Sequence, residues 1–254
     1  MRIGKQDQRT SAISTSTAES INVRGKDLCR DVIGRMDFTA YFWLLVTGSE
    51  PNETQLFFTD AVLTAIAEHG LVPSVVAARM TYAAAPEAFQ GAVAAGLLGC
   101  GSVVLGSAET AGRFLADLVA SGEDPASAIA RLHGERRAIP GFGHPLHAGG
   151  DPRAIRLLQL AAEKGAEGLH VAMLRAVEAA LPDALGRKLQ INVNGAIPAI
   201  MLDIGFPLAA LKGVSLLART ASLIGHLQEE TERPIGFVLS GEAAAAIDYD
   251  GPAI

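Results

Sequence analysis

Residues 139–153 read IPGFGHPLHAGGDPR, a turn-forming segment followed by the start of a helix. Glycines and prolines surround His144, which predicts a tight turn there rather than a helix interior. Asp151 and Pro152 are typical of an N-cap and a first helical residue, so a helix is expected to continue beyond Arg153. In the first helical turn a cation is unfavourable by about 0.3–1 kcal/mol unless an anion shares the site. The stretch therefore predicts either an ordinary capped helix after a loop or an anion-binding site.

Apolar residues recur with helical spacing on both sides of this stretch. The predicted helices cover residues 27–33, 37–47, 52–69, 74–85, a glycine- and alanine-rich segment after 86, 108–121, 125–137, 151–164, 168–181, a segment capped by Asn192 or Asn194 and ending at 203, and 207–230. Residues 13–23 alternate between apolar and small polar types, which predicts a short strand or hairpin. A turn is predicted at residues 181–183, and the tail is expected to wrap another surface. The chain is thus predicted to be all-α.

The amino-acid composition and the net charge indicate what kind of core the protein has and which ligands it does not bind. The 254 residues are 49% hydrophobic but only 5% aromatic, which predicts a sizeable core built from Ala, Leu, Val and Ile. A net charge of −6 without a basic stripe argues against nucleic-acid binding. Cys29 and Cys100 lie far apart without metal-ligand spacing, so reduced thiols are expected and no metal site is predicted.

Two segments bear on the location of the protein. Residues 1–20 are polar and contain no secretory signal, which indicates a cytoplasmic protein. Residues 91–108 are uncharged, but five glycines interrupt them. A helix buried on all sides is therefore favoured over a membrane span. The G-x-G-x-x-G spacing of a dinucleotide loop is absent from the same segment.

The sequence Gly-Phe-Gly-His, followed nine residues after the His by Arg153, resembles the signature of the citrate synthase family. The resemblance covers about residues 13–254 and is greatest to short citryl-CoA lyases and to the citryl-CoA lyase module of ATP-citrate lyase. Further matches in type and order are residues 21–48, Glu68-His69-Gly70, Asn192-Val193, the helix of Arg219 and residues 247–249.

This resemblance implies a citrate synthase-like helical fold with two domains and a cleft between them. The large domain would comprise residues 1–105 and 205–254, and the small domain residues 106–204. The implied reaction cleaves or forms a carbon–carbon bond between acetyl-CoA, or another acyl-CoA, and oxaloacetate, with citryl-CoA on the other side of the reaction. A coenzyme A thioester would be a substrate, no bound cofactor is implied, and a homodimer or higher oligomer is expected.

The resemblance also assigns candidate site residues. His69, His144, Arg153 and Arg219 would bind the substrate, and Arg233 would reach across a dimer interface. His144 and His69 are also assigned to catalysis, in which His144 would stabilise charge on a keto or hydroxyl oxygen. Several cations suit a tricarboxylate, because the arginine fork binds carboxylates bidentately. Without the resemblance, His69 can equally be an ordinary histidine at a helix C-terminus. Arg219 shares a helix face with His226 and Glu230 and can equally be an ordinary salt-bridged surface arginine.

Two departures from the family pattern stand out. Asn194 occupies the position of the catalytic acid, and an amide does not exchange protons usefully at neutral pH. Another proton source, water or His147, would then be required. Leu105 stands where citrate synthases carry a histidine that polarises the thioester, although short relatives also lack it.

These departures keep two alternatives open, a related acyl-CoA enzyme acting on a different 2-oxo acid and a non-catalytic protein that binds citrate or CoA. The loop at residues 148–150 lacks the basic residues that often accompany CoA phosphates, for which Arg136, Arg137, Arg156 and Lys188 are alternative candidates.

Overall fold

The computed structural model describes residues 9–101, 103, 105–143 and 149–252, and this part of the chain is predominantly helical. The helices are α1 (Phe38–Thr47), α2 (Glu53–Ala67), α3 (Pro73–Ala84), α4 (Phe89–Leu98), α5 (Ser107–Ser121), α6 (Pro125–Gly134), α7 (Pro152–Glu163), α8 (Leu169–Leu185), α9 (Val193–Asp203), α10 (Leu211–Glu232) and α11 (Gly236–Ala246). The chain divides into two compact units, residues 1–60 and residues 61–254.

The first unit contains a small antiparallel sheet of β1 (Ser14–Ser16), β2 (Ile21–Val23) and β3 (Lys26–Asp27), in that order. β1 and β2 form the hairpin that the alternation at residues 13–23 predicts. A π-helical turn, Leu28–Val32, follows the sheet, and the carboxylate of Asp27 accepts hydrogen bonds from its first N–H groups.

In the second unit, α5 to α9 pack on one another, as do α3, α4, α10 and α11, and α10 also contacts α5. Glycines permit the closest of these approaches. A Cβ atom on Gly112 would lie 2.5 Å from a methyl carbon of Leu211, and one on Gly96 would lie 2.7 Å from a methyl carbon of Leu223. At these two positions the small residue lets the neighbouring helices approach closely. The division into large and small domains stays a prediction.

Two local predictions are wrong. α8 continues through the predicted turn at residues 181–183 with Pro182 inside it, because its buried face against α6 and α9 outweighs the missing N–H. α4 is not buried on all sides, since Leu98 is 87% exposed. The tail forms α11, which packs against α3, and the Glu230 carboxylate accepts hydrogen bonds from the N–H groups of Ile235 and Gly236 at its start.

Within the described residues, one helical stretch, Leu208–Glu232, is long and apolar enough to cross a membrane by length and composition alone. Buried core helices meet the same criteria. This stretch includes Arg219 and Glu230, whose side chains are buried and hydrogen-bonded to protein groups. We therefore describe it as a packed helix of the second unit.

Candidate functional site

The buried carboxylate of Asp151 joins the N-terminal ends of α7 and α9. It accepts hydrogen bonds from Nε and Nη2 of Arg153 at 3.0 and 2.9 Å, and from the backbone N–H of Val193 at 3.0 Å. Burial raises the pKa of Asp151, but these hydrogen bonds outweigh burial and the pKa lies below its usual value. Asp151 is therefore an anion that stabilises Arg153 in the first turn of α7.

Gly141 and Gly143 of the signature are hydrogen-bonded to Asn192 at the start of α9. The backbone N–H of Asn192 donates to the carbonyl of Gly141 at 3.0 Å, and its side-chain amide donates to the carbonyl of Gly143 at 2.6 Å. A Cβ atom on Gly195 would lie only 2.6 Å from the Gly141 oxygen. His144 lies outside the described residues, so its predicted position stays a prediction.

Asn194 is the second residue of α9 and is half-buried. Its backbone N–H donates to the Asn192 side-chain oxygen at 2.9 Å, so Asn192 rather than Asn194 caps this helix. Arg153, Asp151, Asn192 and Asn194 thus form one connected set, which we call the signature group.

A second group surrounds Arg219 on α10. This side chain is 97% buried, since its exposed fraction is only 3%. Its Nη1 donates to the Ser222 hydroxyl at 3.2 Å, whereas its Nε has no hydrogen-bond partner among the described residues. Burial lowers the pKa of Arg219, while the nearby Glu68 and Cys100 oppose that shift. A buried guanidinium with an unused donor is suited to binding an anion.

Glu68 and His69 follow the last residue of α2, and His69 is half-buried. One oxygen of Glu68 accepts from the Ser222 hydroxyl at 2.5 Å and lies 3.1 Å from Nε2 of His226. The structure therefore brings the segment of His69 to the same face of α10 that carries Arg219 and His226. We call Arg219, Ser222, Glu68, His69 and His226 the arginine group.

Arg79 of α3 extends this arrangement to the end of α10. Its guanidinium donates to the carboxylates of Glu229 at 2.7 Å and Glu230 at 2.5 Å, and to the backbone carbonyl of Arg233 at 3.1 Å. Its Nη1 also lies 3.4 Å from Nδ1 of His226. Arg233 itself has an exposed side chain, and Arg79 fixes the backbone from which that side chain projects.

Replacing Arg79 by Met is expected to lower the free energy of unfolding by about 3–5 kcal/mol. The change leaves the Glu230 carboxylate, only 2% exposed, without its cationic partner. Denaturant titration measures the loss. The matched control is Arg113→Met on α5, whose 57% exposed side chain pairs with Glu109 one turn away. We expect that control to change stability by less than about 0.5 kcal/mol, and equal losses in the two variants contradict the prediction.

A cavity of about 310 Å³ lies beside the signature group, with a largely apolar lining that includes Gly150, Ile155, Leu158, Gln159, Arg175 and Gln190. Neither Arg153 nor Asn194 lines it. Within the described ranges, no cluster of three or more His, Cys, Asp or Glu side chains is placed to hold a metal ion.

The predicted site residues therefore fall into two sets, Arg153 with Asn194 and His69 with Arg219 and His226. Arg233 connects to the second set through Arg79. That the two sets face one substrate stays a prediction. Glu68, Ser222 and Arg79 were not identified from the sequence. Only the position of Glu68 next to His69 and of Ser222 three residues after Arg219 could have indicated the first two.

A family model described as the C-terminal domain of citrate synthase matches residues 6–235. A curated citrate synthase of Haloferax volcanii is 25% identical over 199 residues, which are 78% of this chain and 52% of that protein. The chain thus spans about half the length of the curated relatives it matches.

Solved structures resemble the chain over its full length. A citryl-CoA lyase from Hydrogenobacter thermophilus is similar with a TM-score of 0.88 and 29% identity, covering 100% of this chain and 96% of the other. An ATP citrate lyase from Methanothrix soehngenii, in complex with citrate and coenzyme A, has a TM-score of 0.83 and 24% identity, covering 99% of this chain and 43% of the other. These likenesses confirm the predicted all-α, citrate synthase-like fold.

Proposed function

Because this chain belongs to the citrate synthase family, we propose that it cleaves citryl-CoA to acetyl-CoA and oxaloacetate, or catalyses the corresponding citrate synthase-type condensation. The observation that carries the proposal is Arg219, a buried arginine whose Nε has no hydrogen-bond partner among the described residues. The chain that holds it is similar to a citryl-CoA lyase over 100% of its own length and 96% of the other. A substrate carboxylate would supply the hydrogen-bond acceptor that this Nε lacks among the described residues, and a second negative charge in addition to that of Glu68.

In the direction of cleavage, the citryl hydroxyl loses a proton, the carbon–carbon bond breaks and an acetyl-CoA enolate leaves oxaloacetate behind. Arg219 and His69 would hold the carboxylates and the keto group, and Arg153 would add a further cation at the start of α7. His144 is assigned to the reacting oxygen by its place in the signature. Protonation of the enolate completes the reaction, and the Asn194 amide is not suited to that step.

The direct test incubates the purified protein with citryl-CoA and follows oxaloacetate through a coupled dehydrogenase, with CoA release from acetyl-CoA and oxaloacetate measured in the reverse direction. Turnover in either direction supports the proposal. No detectable turnover in either direction at saturating substrate contradicts the proposal. Activity with other 2-oxo acids or with propionyl-CoA would identify a related acyl-CoA enzyme. Binding of citrate or CoA without turnover would identify a non-catalytic binding protein.

Replacing Asn194 by Asp is expected to raise kcat at least tenfold, since a positioned general acid or base contributes about 10²–10⁴-fold. The fold should tolerate the change, because a carboxylate in the first turn of α9 is favoured by the helix dipole. Steady-state kinetics with a thermal melt checks both expectations. An unchanged kcat in a folded variant that still binds citrate would show that proton transfer uses another group.

The proposal includes a homodimer in which Arg233 acts across the interface, and a cytoplasmic location. The exposed side chain of Arg233, fixed at its backbone by Arg79, supports the first part. Light scattering after size-exclusion chromatography tests it, and a monomer that retains full activity would remove the role of Arg233. Cell fractionation tests the location.

A further inference from the structure

We propose that Glu68 is a positioning residue for the substrate-carboxylate site, holding the turn of α10 that carries Arg219 and the turn that carries His69 in one arrangement. The inference rests on the proposed function, since it assigns Glu68 a part in binding the same polycarboxylate. Glu68 acts through Ser222, His226 and the backbone, and we assign it no contact with the reacting atoms.

The contacts with α10 form the first step. Ser222 donates to Oε2 of Glu68 at 2.5 Å, and Nε2 of His226 lies 3.1 Å from the same oxygen. Ser222 and His226 are four residues apart and so lie on one face of the helix. Nη1 of Arg219 donates to the Ser222 hydroxyl at 3.2 Å. One carboxylate oxygen therefore orients the hydroxyl that in turn orients Arg219.

The other oxygen of Glu68 acts on its own segment. Oε1 accepts a hydrogen bond from the backbone N–H of Gly70 at 2.5 Å. Gly70 has a φ of +72°, which favours glycine, so the chain turns sharply directly after His69. The same carboxylate thus closes the turn in which His69 lies and contacts the helix that carries Arg219.

The charge of Glu68 is the third step. Burial raises the pKa of Glu68, but hydrogen bonds from Ser222, Gly70 and His226 outweigh it and lower the pKa to about 2. Glu68 is therefore ionised at neutral pH and attracts the buried Arg219 without a direct hydrogen bond. This arrangement offsets the charge of Arg219 while its Nε remains without a partner among the described residues. A direct ion pair would instead compete with the substrate for the guanidinium.

The test compares the variants Glu68→Gln, Glu68→Asp and Ser222→Ala with the control variant Glu123→Gln. Glu123 precedes α6 and pairs with Arg131 of that helix. We expect Glu68→Gln to raise KM for citryl-CoA and Kd for citrate about tenfold, with kcat changed by less than about threefold. Ser222→Ala should act in the same direction, Glu68→Asp should recover part of the loss, and the control should match the wild type.

A thermal melt of each variant separates positioning from a structural role alone. A lower melting temperature of Glu68→Gln with unchanged KM and citrate Kd overturns the proposal, as does a variant equal to the wild type in all three. If the wild type binds citrate without turnover, the proposed reaction fails, and the Kd ratio of Glu68→Gln to wild type still decides the role of Glu68. If the wild type neither turns over citryl-CoA nor binds citrate, both proposals fall.

Discussion

Replacing Arg219 by Met is expected to lower kcat/KM for citryl-CoA by about 10²–10³-fold and, in the same protein without substrate, to raise the free energy of unfolding by about 1–2 kcal/mol. The two effects have one cause. The guanidinium is 97% buried, and among the described residues Nη1 meets a serine hydroxyl while Nε has no hydrogen-bond partner. Methionine removes that desolvated charge and fills a similar volume, whereas the substrate loses a charged hydrogen-bonding partner.

Steady-state kinetics and differential scanning calorimetry measure the two effects of Arg219→Met together. A gain of 1 kcal/mol corresponds to a rise in melting temperature of about 2–4 °C for a domain of this size. Arg113→Met serves as the control for loss of an arginine, and we expect it to leave kcat/KM unchanged. A stable variant with wild-type kcat/KM would show that Arg219 does not bind substrate, and a large loss of stability would show a structural arginine.

Replacing Gly195 by Ala is expected to lower the free energy of unfolding by about 3 kcal/mol. A reduction in activity is expected to follow from this loss of stability. Its Cβ would lie 2.6 Å from the carbonyl oxygen of Gly141 and 3.1 Å from its Cα. Both are backbone atoms of the signature segment that is hydrogen-bonded to the start of α9, so the clash cannot be relieved by moving a flexible side chain. The start of α9, with Asn194, would shift away from the signature.

Gly213→Ala provides the matched control, because a Cβ on that glycine of α10 meets no atom within 4 Å. In an open helical position alanine is favoured over glycine by about 0.5–1 kcal/mol, so this variant should be slightly more stable than the wild type. Denaturant titration of both variants checks the pair. Equal stability of Gly195→Ala and the wild type would mean that the two backbones approach less closely than the structure places them.

Most secondary structure was predictable because local signals agree with the final packing. Asp151 and Pro152 predict the start of α7, and Gly48, with a φ of +83°, ends α1 as its sequence position indicates. The errors occur where distant contacts decide. Pro182 normally ends a helix, yet α8 continues through it because α6 and α9 bury its face. α11, which was not among the predicted helices, packs against α3, a helix distant from it in the sequence.

The candidate site shows the same division. The signature and its family resemblance predicted Arg153, His69 and Arg219 as candidates one by one. The contacts between distant segments were not predictable, because Asp151 accepts a hydrogen bond from Val193 across 42 residues and Glu68 accepts one from Ser222 across 154 residues. Periodicity describes neighbours within a few residues and carries no information about such pairs.

By itself the sequence determined the helical class, the family signature and the types of side chain available, since these depend on local spacing and chemistry. Only the tertiary structure decided that Asp151 also accepts a hydrogen bond from Val193, and that Arg219 is buried with an Nε that has no hydrogen-bond partner among the described residues. The physical reason is that burial and long-range hydrogen bonds depend on residues that are close in space but distant in the sequence.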